Sequence, residues 1–203
     1  MDRAELKAAA RQQISGKIGV LFLITLIIAL ISGVVGALLT RIPGGGIVAA
    51  VIITPAFTLS LIRVYLNVIG GVQPKVADAF CGFDDFWSAF KVTFLMGLFT
   101  YLWSLLFIIP GIVKSYSYSM APYILAENKG KPALECINES KAMTNGYKMD
   151  LFVLSLSFIG WALLVVITFG IAGIWVYPYS CATAANAYKW LKAQRGEVIV
   201  EAE

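Results

Sequence analysis

LFVLSLSFIGWALLVVITFGIAGIWVYPYSCATAANAY, residues 151–188, runs for 38 residues without a charged side chain. As one helix rising about 1.5 Å per residue it would reach roughly 57 Å, nearly twice a ~30 Å hydrocarbon core. It must fold back on itself. The bend is expected at Thr168-Phe169-Gly170-Ile171-Ala172-Gly173, where two glycines loosen the helix. This stretch reads as a membrane hairpin, and its two arms are spans five and six.

Composition agrees. The 203 residues are 59% hydrophobic and 14% charged, against about 25% charged in soluble domains. No Pro/Ser-rich linker divides the chain, so residues 1–195 read as one membrane domain, followed by an acidic tail, 196–203, expected to be disordered. A net charge of +4 raises the question of nucleic acid. The basic residues flank apolar spans, which is the pattern of membrane orientation and not of a phosphate-binding groove. Nucleic acid is therefore not an expected partner.

The other spans follow from the apolar runs and their breakers. Span one is 18–40. Its 23 residues exceed the 7–15 of a signal peptide's apolar region, so it is expected to stay as an anchor. Arg41-Ile-Pro-Gly-Gly-Gly46 ends it. Span two is 47–69, with Pro55 inside and Gly70-Gly71 closing it. Span three is 92–109, stopping at Pro110-Gly111. The stretch 115–126 holds only 12 uncharged residues, short for a crossing. Charge decides the matter. With the N-terminus inside and six spans, all sixteen basic residues except Arg41, Lys114 and Arg63 lie on the cytoplasmic side. Residues 111–127 are thus expected to cross as one tilted helix, with Lys114 snorkelling outward. The alternative is a re-entrant segment paired with span three. The expected fold is an all-α bundle of six spans, arranged as three hairpins with cytoplasmic interfacial helices and both termini inside.

A weak repeat supports three units. Glu5, Arg11, Gly16, Leu21 and Phe22 recur in kind 130 positions later as Glu135, Lys141, Gly146, Leu151 and Phe152. Arg3, Lys7, Arg11 and Lys17 interleave with Leu6, Ala10 and Ile14, a pattern suited to an anionic inner leaflet.

Chemistry-bearing residues are few. There is no histidine, which removes the commonest general base and metal ligand. Cys81, Cys136 and Cys181 have no metal or disulfide spacing. No nucleotide, protease or kinase motif is present, so neither catalytic residues nor a cofactor is expected. Asp84, Asp85, Glu127, Glu135, Glu139 and Asp150 read as solvated surface charge. Arg63 sits about 10 Å inside span two by helical rise. It is a binding candidate by position, and its simpler reading is snorkelling to the inner headgroups beside Asn67. The polar stripe of span four carries Tyr116, Tyr118, Ser119 and Tyr123, and span six carries Tyr177, Tyr179 and Asn186. Two readings fit. Either these groups line a polar cleft that binds a lipid headgroup or a polar solute, or they join helices by hydrogen bonds.

LFTYLWSLLFIIPGIVKSYSYSMAPYILAEN, residues 98–128, resembles the domain-of-unknown-function 975 family of bacterial integral membrane proteins. Arg3-Ala-Glu-Leu-Lys7, the segment 133–146 and Ser157-Phe-Ile-Gly-Trp161 fit the same pattern. More distantly, 133–146 is similar to the membrane domain joined to some glycerophosphodiester phosphodiesterases, which is not their catalytic part. The resemblance implies an inner (cytoplasmic) membrane protein of bacteria with no assigned activity. The expected function is non-enzymatic: binding membrane lipid or a small amphiphile, or assisting other membrane proteins, with these or a second copy as partners. The alternative is a small transporter or flippase-like protein using the Tyr/Ser cleft.

Overall fold

The computed structural model describes residues 2–39 and 45–201, with side chains given except at 45–53, 106, 108 and 196–201. Among the described residues there is no strand. The helices are α1 Arg3–Ile14, α2 Ile18–Leu39, α3 Gly45–Ile69, α4 Phe86–Leu106, α5 Ile108–Tyr118, α6 Ala121–Glu127, α7 Ala133–Met143, α8 Lys148–Leu156, α9 Ile159–Ile167 and α10 Gly173–Glu201. Two 3-10 turns, Val76–Phe80 and Phe83–Asp85, lead into α4. Most of the turn expected at 41–46, and the last two residues of the acidic tail, lie outside the described residues.

Three helical stretches are long and apolar enough to cross a membrane: Ile18–Leu39, Val76–Leu105 and Lys148–Ile167. Thr54–Ile69 in α3 is a shorter apolar helix. At most 17% of any of the three windows is buried inside the protein, so their apolar side chains must be covered by something other than the chain itself. The hairpin tips are the barest parts. Phe107 between α4 and α5 is 72% exposed, and Phe169 between α9 and α10 is 97% exposed.

Burial is concentrated at the opposite end. There α3, α6 and the second half of α10 meet, with α1 and α7 packed around them. α3 buries Leu59, Val64, Tyr65 and Val68, and α6 buries Ile124 and Leu125. α10 buries Ala182, Thr183, Ala185 and Ala187, small residues that let neighbouring helices approach closely. α1 starts at an N-cap, with the Asp2 carboxylate accepting from the Ala4 and Glu5 amides, and lays Leu6, Ala10 and Ile14 against this core.

The bend expected at 168–173 is where the chain turns. Phe169 and Gly170 take φ of 50° and 92°, and the Gly170 amide donates to the Val165 carbonyl at 2.8 Å. Two expectations need correction. The stop between spans three and four falls at Phe107, not at Pro110-Gly111, and Pro110 enters the first turn of α5. Amides there have no intrahelical acceptor, so a proline removes nothing. The tilted helix expected at 111–127 is two helices, α5 and α6, broken at Ser119-Met120. The break holds because Ser140 of α7 inserts into it. Its hydroxyl donates to the Ser117 carbonyl at 2.8 Å and accepts from the Met120 amide at 3.2 Å. A polar break in an apolar setting is tolerated only when protein covers it in this way. Span five is also interrupted, at Ser157-Phe158. Just before it the Ser155 hydroxyl donates to the Leu151 carbonyl one turn back, a bond that favours bending.

Candidate functional site

Three helices converge on one cavity of about 260 Å³. α3 contributes Thr58, Leu61, Ile62 and Tyr65, which share a face because they are spaced three, four and seven apart. The break after α5 contributes Ser119, the start of α6 contributes Pro122 and Tyr123, and α10 contributes Tyr177 and Cys181 one turn apart. The lining holds hydroxyls and a thiol but no charged group. Such a site offers hydrogen bonds to a neutral ligand and nothing to neutralise an ionic one.

The hydroxyls differ in how they are satisfied. Ser119 donates to the Tyr116 carbonyl at 2.8 Å. Tyr123 stacks on Tyr188, with ring centroids 5.4 Å apart. Tyr188 in turn donates to a Glu127 carboxylate oxygen at 2.9 Å, which Lys192 also contacts. Tyr65 is 2% exposed, and its hydroxyl has no hydrogen-bond partner. Thr25 lies beside it, and the Thr25 hydroxyl donates to the Leu21 carbonyl while its oxygen remains able to accept. An unsatisfied buried hydroxyl costs about 1–3 kcal/mol, which a small shift of the Tyr65 ring toward an acceptor would recover.

Of the residues singled out from sequence, Ser119, Tyr123 and Tyr177 meet here, and the other five do not. Tyr116 packs edge-on to Phe152. Tyr118 is buried against Phe99 below the Lys141 ammonium. Tyr179 lies among Phe158, Trp161 and Arg11. Asn186 donates to Gln13 at 2.8 Å and ties α10 to α1. The α3 wall was missed entirely. Thr58 and Tyr65, seven apart and so on one face of α3, were the available signal.

Arg63 does not snorkel. Its side chain is 8% exposed and contacts Asp85 Oδ2 at 2.5 Å. It also donates to the Cys81 carbonyl at 2.6 Å and the Ala126 carbonyl at 3.4 Å. The segment after α3 folds back under it and carries the carboxylate there. Gly82 permits this approach, because a Cβ at that position would lie 2.1 Å from the Ala56 carbonyl oxygen. The Ser60 hydroxyl accepts from the Gly82 amide at 2.8 Å and fixes the contact. Asp85 is thus not a solvated charge. Glu139 is also engaged, with Lys131 at 2.5 Å and Arg195 at 3.4 Å, whereas the Asp84–Lys129 pair is exposed. Among the described residues no cluster of three or more His, Cys, Asp or Glu is placed to hold a metal ion. Cys81, Cys136 and Cys181 are free, and burial pushes the Cys136 thiol up to about 11.

Comparison with curated proteins and with solved structures returned no match. One family profile, Protein of unknown function (DUF975), matches residues 1–116 and 106–195. The more distant resemblance to phosphodiesterase membrane domains is not part of that match. The two matched segments together span nearly the whole chain, and the protein belongs to the DUF975 family.

Proposed function

We propose that this protein crosses the bacterial cytoplasmic membrane six times, as three hairpins with both termini inside, and holds a neutral amphiphile in the Tyr65 cavity. The observation that carries the reading is an uncharged cavity shared by three helices and lined by Thr58, Ser119, Tyr123 and Tyr177, with the buried hydroxyl of Tyr65 in its wall. The hydroxyls of Tyr65, Tyr123 and Tyr177 suit ester carbonyls and glycerol oxygens. The uncharged lining favours this over transport of an ionic solute. The lining supplies hydrogen-bonding hydroxyls and apolar surface, which supports a binding role.

The test uses diacylglycerol added to the purified protein in mild detergent and followed by native mass spectrometry. Wild type retains a diacylglycerol adduct. Tyr65→Phe and Tyr177→Phe keep ring volume and lose it. If Tyr65→Phe melts higher and binds the same amount, the hydroxyl is simply an unsatisfied group, and the proposal fails.

A further inference from the structure

A second cavity of about 410 Å³ opens between α1, α2, α9 and α10. It shares no lining residue with the Tyr65 cavity. Arg11 and Ser15, at the end of α1, form its polar edge, and Trp161, Trp175 and Val176 form an apolar wall. Trp175 is 58% exposed, as it would be if covered by lipid.

The charge at the edge is uncompensated. Lys7 and Arg11 are one turn apart on α1, on a stripe next to the buried Leu6, Ala10 and Ile14. Among the described residues neither forms an ion pair with a carboxylate. Each faces a ring instead. The Lys7 ammonium lies 4.7 Å from the Phe158 centroid, and the Arg11 guanidinium 5.2 Å from the Tyr179 centroid. Partial burial and the neighbouring Arg11 charge both pull the Lys7 ammonium below its usual range. Arg11 at the edge of an aromatic groove, with Lys7 one turn away on the same helix and neither paired with a carboxylate, calls for an anion with an apolar tail.

We propose that this groove binds one anionic phospholipid, with its phosphate on Arg11 and Lys7 and an acyl chain along Trp161 and Trp175. Ser15 adds a hydroxyl donor at the same edge. The rings already hold the two cations at 4.7 and 5.2 Å, so part of their side-chain freedom is lost before the phosphate arrives. The site would sit at the cytoplasmic leaflet, where anionic lipid attracts basic residues.

The experiment measures tryptophan quenching by lipids with brominated acyl chains in mixed micelles. The signal from the groove is the difference between wild type and Trp161→Phe/Trp175→Phe. At equal mole fraction, brominated phosphatidylglycerol should bind in preference to brominated phosphatidylcholine by about fivefold or more for each basic residue engaged. Arg11→Lys should keep much of that preference, and Lys7→Gln/Arg11→Gln should bring it to about one. A wild-type ratio near one overturns the proposal, and so does an undiminished ratio in the double glutamine variant. If that variant does not fold, wild type in 1 M salt replaces it. The ratio should then fall toward one, and an unchanged ratio overturns the proposal. Glycerol phosphate without acyl chains should not displace the lipid at matched concentration. If it does, the site reads a free phosphate and the lipid assignment is wrong.

Discussion

Arg63 and Tyr65 stand two residues apart on α3, and a step of about 100° per residue sends their side chains to opposite sides of that helix. Arg63 meets Asp85 and two carbonyls, whereas Tyr65 forms part of the cavity wall with its hydroxyl buried. Removing one member of a buried ion pair strands the other, at about 3–5 kcal/mol. Arg63→Ala and Asp85→Asn should each lower the melting temperature in detergent sharply. Arg63→Lys should also lower it, because an ammonium cannot reach Asp85, Cys81 and Ala126 together as the guanidinium fork does. Arg63→Met/Asp85→Leu should be milder than either truncation, since no charge is left buried. A Lys variant that melts with wild type would restore the snorkelling account. The sequence located Arg63 inside an apolar run, because hydropathy is local and additive. It did not reveal Asp85 as its partner, 22 residues on, since that pairing depends on how the segment 76–85 folds back, and Gly82 signals a turn without saying against what.

α7, expected from the sequence to lie at the interface, contributes more than an apolar face. It buries Cys136, Ile137, Ser140 and Met143, so its inner face is not purely apolar. Ser140 is the group that lets α5 and α6 break. Ser140→Ala should leave the Met120 amide unpaired, and the Ser117 carbonyl with only the longer contact from the Thr144 hydroxyl at 3.4 Å, and cost about 1–3 kcal/mol. Ser155→Ala, at an exposed hydroxyl bonded only within its own helix, should stay within about 0.5 kcal/mol. Equal melting of the two variants would mean that the break does not depend on α7. The same helix gives a chemical readout. With its thiol near 11, Cys136 holds only about three thiolates in ten thousand at pH 7.5. Maleimide should therefore leave it unlabelled in the folded protein and label it after denaturation in SDS. Labelling of Cys136 in the native state would show that α7 lifts away from the core. The prolines of the stripe hinted at a broken helix. They did not place the break, because Pro122 sits in the first turn of α6 and needs no break of its own, and Pro178 lies inside α10.

At the scale of the whole molecule, apolar surface gathers at the hairpin tips and basic residues gather at the other end. The charge pattern read from the sequence assigns those ends to outside and inside. α4 has 21 residues, about 31 Å of helix, and the broken run 108–127 covers a similar length. If both cross, Phe107 emerges outside and Lys129 returns to the cytoplasm. If α4 and α5 instead form a re-entrant hairpin, Phe107 rests among acyl chains and no aqueous reagent reaches it. Single cysteines separate the cases in a background lacking Cys81, Cys136 and Cys181. Phe107→Cys and Ile171→Cys should react with a membrane-impermeant maleimide on intact cells, because both positions are at exposed tips. Lys129→Cys, at an exposed side chain, should react only after the membrane is opened. Phe107→Cys that stays unreactive on both sides would point to a hairpin dipping into the bilayer. Lys129→Cys labelled on intact cells would leave α5 and α6 uncrossed. Either result would reduce the six spans and move the Tyr65 cavity from the membrane interior to one of its surfaces, where water would satisfy the hydroxyl and the case for a bound amphiphile would lapse.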